Sequence, residues 1–184
     1  MLLAAGHSRR FGEADKLLAD LHGRPLVAHA AQAMREARVS TLVAVVSSHE
    51  VATVLEDFDC VFVEGSEHKQ SDSLKAGIAK ARALAANRAL VVLADMPRVS
   101  VDLLDEVAAH CGMSLASAAT DGERRLPPAC FPQPLFDDLL NTQGDRGASP
   151  ILRQLPDTQL VHAPSEMLID IDLEEDLVRL RNEA

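Results

Sequence analysis

Apolar residues along this chain fall into two rhythms that take turns. Short, nearly uninterrupted apolar runs at Met1–Ala5, Thr41–Val46, Cys60–Val63 and Ala89–Ala94 alternate with longer stretches whose apolar positions recur every three or four residues. The runs predict strands, and 41–46 and 89–94, with no polar alternation, predict strands covered on both faces. Between them, Pro25–Ala37 carries Leu26, Val27, Ala30, Ala33, Met34 and Ala37 as a helical stripe with proline in its first turn. Ser48–Leu55 reads as a short helix and Ser71–Ala86 as a long one, with Leu74, Ile78, Ala81 and Leu84 on one face. Ser100 is placed to cap a helix with Leu103, Leu104, Val107 and Cys111 inward.

Such alternation predicts βαβ units with right-handed crossovers, hence an α/β fold: a Rossmann-like three-layer α/β/α arrangement around a mostly parallel sheet. Ligands in such sheets bind beyond the carboxyl ends of the strands, so Gly6, Glu64–Ser73 and Asp95 are expected along one rim. After Leu115–Ala119 the rhythm breaks. Thr120-Asp121-Gly122 is a turn signal, and Leu126–Pro132 holds three prolines, which argue against a central strand throughout. Pro134–Leu140 looks helical, Thr142–Pro150 is a loop with two glycines, and Leu160–Ala163 and Leu168–Ile171 are short strands. Leu173–Arg181 is a helix whose first turn is favoured by Glu174 and Glu175. With no linker, repeat or low-complexity stretch, residues 1–184 read as one domain.

Composition narrows the function classes. Apolar residues make up 47% of the 184, enough for a full core, but with no Trp or Tyr and five Phe that core is aliphatic. No apolar run approaches the ~18 residues of a membrane span, and no signal peptide precedes the first strand; a soluble, cytoplasmic protein is expected. A net charge of −10 argues against nucleic-acid binding, which needs a basic face. Cys60, Cys111 and Cys130 lack zinc or redox spacing and read as small core residues in a reducing compartment. The seven histidines form no pair four apart, so no histidine metal site is expected.

The few cations concentrate at the start of the chain. The strand Met1–Ala5 stops at Gly6, and a polar loop follows with Arg9, Arg10, a second glycine and Lys16. A glycine free to take positive φ, with arginine forks and a mobile lysine, makes an anion cradle; the plainer reading is a basic surface turn. The stretch is similar to Leu-Ala-Ala-Gly-x-Ser-x-Arg-x-Gly-x-x-Lys, and the chain resembles the molybdopterin nucleotidyltransferase family (MobA-like NTP transferases), its cytidylyltransferase branch most. The guanylyl branch shows Leu-Ala-Gly-Gly where this chain has Leu3-Ala4-Ala5-Gly6. Lys16 comes one position later than in the commonest form. The resemblance implies that Leu3, Ala4, Ala5, Gly6, Ser8, Arg9 and Arg10 wrap the phosphates of a nucleoside triphosphate, and that Lys16 neutralises them. It also implies the nucleotide-diphospho-sugar transferase type of the fold, with 1–115 as the NTP-binding half and 116–184 as the acceptor-side half.

Further segments carry chemistry of their own. Ala94-Asp95-Met96-Pro97 ends a buried strand with a carboxylate; alone it is also a turn or capping Asp. Asp170-Ile171-Asp172 sets two carboxylates on one side of a strand, and Asp172 equally stands where a helix N-cap belongs. By resemblance these match Gly-Asp-x-Pro and Asp-Ile-Asp-Thr-x-Glu-Asp-Leu, with Ala94 and Leu173 as departures, which implies Mg²⁺ or Mn²⁺ on Asp95 and Asp172. Gly65–Gly77 resembles the family's base- and ribose-reading segment through Ser71 and Ser73, with Gln70 where glycine is usual; alone, Ser71 is a helix cap. Gly144–Ala148 matches Gly-Asp-x-Gly and Pro128–Phe131 matches Pro-x-x-Phe, preceded here by Leu126 and Pro127. These imply acceptor binding by Pro128, Asp145, Arg146 and Gly147, although a local Asp–Arg pair in a surface loop is the plainer reading of 144–148.

The resemblance thus implies transfer of CMP from CTP to the phosphate of a molybdopterin-type cofactor, releasing pyrophosphate, with Lys16, Arg10 and Asp95 as catalytic residues and positioning plus charge neutralisation as the means. Small-molecule substrates are expected, with no nucleic acid or membrane, and a transient contact with a molybdoenzyme or its chaperone. Use of GTP or a sugar-phosphate acceptor, and a non-catalytic nucleotide-binding chaperone, are the alternatives. A dinucleotide oxidoreductase is set aside because Gly-x-Gly-x-x-Gly is absent.

Overall fold

The computed structural model describes residues 1–6, 11, 15–64, 69–144 and 147–183. In chain order it runs β1 (Leu2–Ala4), β2 (Asp20–Leu21), β3 (Arg24–Pro25), α1 (Leu26–Glu36), β4 (Val43–Val46), α2 (His49–Val54), β5 (Asp59–Phe62) and α3 (Gln70–Ala83). There follow β6 (Arg88–Leu93), α4 (Val101–His110), β7 (Ser117–Thr120), β8 (Arg125–Pro132), α5 (Phe136–Leu140), α6 (Ser149–Leu152), β9 (Leu160–His162) and α7 (Glu174–Asn182). Among the described residues the main sheet has seven strands in the order β5-β4-β1-β6-β8-β7-β9, and β2 and β3 form a separate hairpin. Strands β5, β4, β1 and β6 pair in parallel, as do β7 and β9; β8 runs antiparallel to both β6 and β7. The mostly parallel α/β fold is therefore the one that the alternating rhythm predicts.

Period two along the strands divides the core. Leu2, Ala4, Ala44, Val46, Leu90 and Val92 face one way and pack with α1, α2 and α4. Met1, Val43, Ala89, Val91, Ala129 and Phe131 face the other and pack with α3, α5 and α6. These two apolar clusters, one on each face of the sheet, make the three layers. A smaller cluster of Leu21, Leu26, Ile171, Leu177 and Leu180 fastens α7 to the hairpin. Ser48 and Ser100 cap α2 and α4 as their positions predict, their hydroxyls accepting from Val51 N–H at 3.2 Å and Leu103 N–H at 3.2 Å.

Two segments differ from the sequence reading. Residues 125–132 form a continuous strand in the middle of the sheet, prolines included. The register explains it: Ala118 pairs with Ala129 but Ala119 pairs with Leu126, so Pro127 and Pro128 fall into a bulge where no ladder bond is required of them. Residues 168–171 are not a strand; Ser165–Leu168 is a 3₁₀ turn, and the segment beyond it makes one sheet-like bond, from Ile171 N–H to the Asp95 carbonyl at 2.9 Å. The long helix also starts one residue early, and Lys69 rather than Ser71 stands at its N-cap, with Asp72 Oδ2 accepting from Lys69 N–H at 2.9 Å.

Candidate active site

Strands β1 and β6 lie side by side in register, Leu3 opposite Leu93, and Ala94 N–H donates to the Leu3 carbonyl at 3.1 Å. Their parallel course brings Ala5-Gly6 and Asp95 out of the sheet at the same rim. Ala4, Ala5 and Ala94 are buried, so these three positions bring only methyl groups to the rim. Gly6 does not take the positive φ proposed for it; Gly23, Gly122, Gly144 and Gly147 do. Among the described residues a Cβ on Gly6 would meet no atom within 4 Å, so neither its backbone conformation nor their packing explains glycine there, and they leave room beside it for a ligand.

Lys16 opens a 3₁₀ turn, Lys16–Leu18, whose cap is Asp15: its Oδ1 accepts from Leu17 N–H at 2.9 Å. Leu17 is buried in the core, which fixes the turn against the sheet. Lys16 Nζ donates to Asp95 Oδ2 at 2.8 Å, to the Ile171 carbonyl at 2.6 Å and to Asp172 Oδ1 at 3.5 Å. The lysine side chain is only 8% exposed, Asp95 23% and Asp172 52%. A buried ammonium is tolerated because these oxygens replace its water.

Ile171 explains how residues so distant in sequence reach Lys16. Its side chain is fully buried among Leu21, Leu26, Leu177 and Leu180, so Asp170 and Asp172 are carried to the rim on either side of an anchored residue. Asp172 is not the helix N-cap. Leu173 holds that place, and the N–H groups of Asp172 and Leu173 both donate to Asp176 Oδ2, at 3.2 and 2.9 Å. The Asp172 carboxylate is thereby turned toward Lys16. Burial, reinforced by the charges of Asp95 and Asp172, pushes the Asp170 carboxyl above its ordinary range, and Lys16 pulls it partly back.

Two carboxylates and a backbone carbonyl thus converge on one cationic atom, an oxygen-only set that suits a hard divalent ion as well as an ammonium. Among the described residues no group of three or more His, Cys, Asp or Glu side chains is placed to hold a metal. The protein would supply two carboxylates, with the remaining positions falling to substrate oxygens and water, as Mg²⁺ commonly takes them.

Of the residues that sequence singles out, Lys16, Asp95 and Asp172 come together, at the rim where Ala5-Gly6 ends β1. Ser71 and Ser73 are buried on the first turn of α3. Gly147 is buried beneath Gln70: with φ at +47°, a Cβ there would lie 3.0 Å from Gln70 Oε1. Pro128 is buried next to the last β6–β8 pair, Val91 with Ala129, on the side of the β6 carboxyl end. Ser8, Arg9, Arg10, Asp145 and Arg146 lie outside the described residues. Sequence reasoning missed the Ile171 carbonyl; an isoleucine between two acids was the available sign that the segment is anchored rather than solvated. Cys111 and Cys130 are buried as expected, and Cys60 is half-buried. No helix among the described residues is long and apolar enough to cross a membrane.

The chain is similar to several known proteins. The family model of the MobA-like NTP transferase domain matches residues 1–159. The chain is 30% identical over 196 aligned positions to the purine catabolism protein PucB of Bacillus subtilis, covering 97% of this chain and 94% of that protein. It is 33% identical over 107 positions to a probable molybdenum cofactor guanylyltransferase of Pyrococcus horikoshii, covering 58% and 52%. Among solved structures, a nucleotidyl transferase from Methanothermobacter superposes with a TM-score of 0.84 at 24% identity, over 99% of this chain and 94% of that one. Rv0371c of Mycobacterium tuberculosis in complex with manganese superposes with a TM-score of 0.80 at 20% identity, over 100% and 97%. These likenesses identify the sheet as that of the nucleotide-diphospho-sugar transferase fold.

Proposed function

The chain belongs to the MobA-like NTP transferase family, and from that premise we propose that it transfers CMP from CTP to the terminal phosphate of a molybdopterin-type cofactor in the cytoplasm. The observation that carries the reading is the convergence of Lys16, Asp95 and Asp172 at the rim where Ala5-Gly6 leaves the sheet. An acceptor phosphate oxygen forms a bond to the α-phosphorus while the α–β phosphoanhydride bond breaks and pyrophosphate departs. No protein nucleophile takes part. Gly6 leaves room for a phosphate against the backbone, and the loop from Leu3 through Ser8, Arg9 and Arg10 surrounds the triphosphate. Lys16 and Arg10 neutralise its outer charge. Ser71 and Ser73 face the base and ribose; Pro128, Asp145, Arg146 and Gly147 take the acceptor. Asp95 and Asp172 would hold Mg²⁺ or Mn²⁺, which would supply charge stabilisation for the phosphate groups; the manganese complex of a structural neighbour supports this choice of ion. Delivery of the product calls for a transient contact with a molybdoenzyme or its chaperone.

Preference for a pyrimidine rests on Ala5, buried at the floor of the rim where the guanylyl pattern has glycine. Use of GTP is the second reading, favoured by the likeness to the Pyrococcus guanylyltransferase. The deciding experiment supplies each NTP with Mg²⁺ or Mn²⁺ and a molybdopterin-type acceptor and measures pyrophosphate release. Turnover with CTP above GTP supports the first reading, and equal use removes the cytidylyl assignment. No release with any NTP and acceptor would remove the transferase reading of this site.

A further inference from the structure

Lys16 is paired with the same two carboxylates that are assigned to the metal. Its ammonium lies 2.8 Å from Asp95 Oδ2 and 3.5 Å from Asp172 Oδ1, and the Ile171 carbonyl closes over it at 2.6 Å. A Mg²⁺-sized ion sits about 2.0–2.1 Å from its oxygens. At that distance from the same carboxylates it would stand against the like-charged, buried ammonium of Lys16. The two cations therefore compete for these carboxylates. We propose that Lys16 is a built-in counter-ion to Asp95 and Asp172, and that a divalent ion enters as Lys16 swings away, most readily when another anion receives it. This rests on the reading of Asp95 and Asp172 as metal ligands.

Lysine suits such an exchange. It is a compact charge on a flexible four-carbon stem, able to turn about its own chain without moving the backbone. Here the backbone is held firm, since the Asp15 cap and buried Leu17 fix the 3₁₀ turn. The open space beside Gly6 is where the replacement anion, a nucleoside triphosphate, would arrive. Nucleotide and divalent ion then favour each other's binding, and by linkage the coupling is reciprocal. The protein without nucleotide keeps its carboxylates neutralised and holds divalent ions weakly. The same device keeps a highly acidic chain from trapping metal at this point when no substrate is present.

The test is Mn²⁺ binding followed by EPR, without nucleotide, on the wild-type chain and on Lys16→Met, which keeps the length of the side chain and removes its charge. Lys16→Met is expected to bind Mn²⁺ ~10-fold or more tightly, inside the usual range of site-to-site coupling. Equal or weaker binding by a variant with a native circular dichroism spectrum overturns the proposal. A second measurement needs no variant. Acetylation of Lys16 in the wild-type protein, read by mass spectrometry, should speed up as millimolar Mn²⁺ is added and slow again when CTP joins it. Labelling that does not respond to Mn²⁺ overturns the exchange. Loss of pyrophosphate release with every NTP would remove the transferase reading yet leave both of these measurements standing, so the two failures are distinguishable.

Discussion

Strands β5, β4, β1 and β6 run parallel and end together at one rim, whereas β8 arrives from the opposite direction with Pro127 and Pro128 bulged out of its ladder, and β7 and β9 lie beyond it. In the first half, position is set by strand ends. Gly6 and Asp95 stand where they do because two registered strands stop there, and Lys16 is pressed against them by a capped turn. In the second half, position is set by a bulge and by the loop around Gly147, which is buried under the side chain of Gln70. The difference teaches where each kind of task is placed. On the function proposed above, groups that hold charge at fixed distances are built on a regular frame, and groups that match the acceptor are carried on loops, which vary without disturbing the sheet.

The sharpest way to break this contrast is Asp95→Asn. It leaves volume and strand register unchanged but removes a charge from the rigid half. Turnover is expected to fall about 10²–10³-fold, or ~2.7–4 kcal/mol of transition-state stabilisation, with an unchanged circular dichroism spectrum. Pyrophosphate release within twofold of wild type would place the chemistry elsewhere.

Ala5→Gly enlarges the rim by one methyl group and sharpens the comparison within the rigid half. The wild-type preference for CTP over GTP should be about 10–200-fold, the worth of ~1–3 kcal/mol in a close-packed site. The variant should narrow it chiefly by admitting GTP. Competition between the two nucleotides, with products resolved by mass, gives the ratio directly.

A matched pair of glycine substitutions compares the halves at smaller scale. Gly147→Ala puts a side chain at φ +47° against Gln70, and should lower stability by ~1 kcal/mol or more. Gly6→Ala meets nothing within 4 Å, so stability should stay within ~0.5 kcal/mol while nucleotide affinity drops. Urea midpoints and nucleotide titrations of the two variants should therefore change in opposite combinations.

The smallest effect is expected from Asp170→Asn, measured with chelator present. Folding raises the Asp170 pKa, so the native state binds more protons than the unfolded chain between the ordinary carboxylate value and the raised one. Its ionisation therefore weakens the fold as pH rises through the native pKa. The Asn variant should be the more stable protein near neutral pH, and the gap should close on acidification below the ordinary value of about 3.9. A gap that widened in acid would mean that Asp170 is stabilised as a carboxylate.

What the sequence discloses follows the same division. Thr41–Val46 and Ala89–Ala94 are legible because a strand buried on both faces has no other composition open to it. Asp95 is legible as a candidate because charge at the end of such a strand has no packing purpose, and Lys16 because it closes the stretch where the chain's few cations gather. The pairing of these two with each other is not legible, since nothing local in either segment records the other. Residues 125–132 mislead because proline forbids a ladder bond, yet a bulge removes the need for one, and bulges are set by the neighbouring strand. Residues 168–171 mislead for the converse reason: apolar alternation continues, but Ile171 is buried against a helix and a hairpin instead of a sheet. Gln70 over Gly147 leaves no local trace in either stretch.

The bond from Lys16 to the Ile171 carbonyl joins positions 155 residues apart, and this sets a clock on synthesis. At ribosomal rates of ~5–20 residues per second, roughly 8–30 s separate the appearance of these two groups. Throughout that interval Lys16 and Asp95 have no Asp172 beside them, and α7 is not yet there to bury Ile171. A chain still being made, or one cut short before that helix, lacks the Asp172 carboxylate and the Ile171 carbonyl, so these contacts to Lys16 form only once translation has passed residue 172.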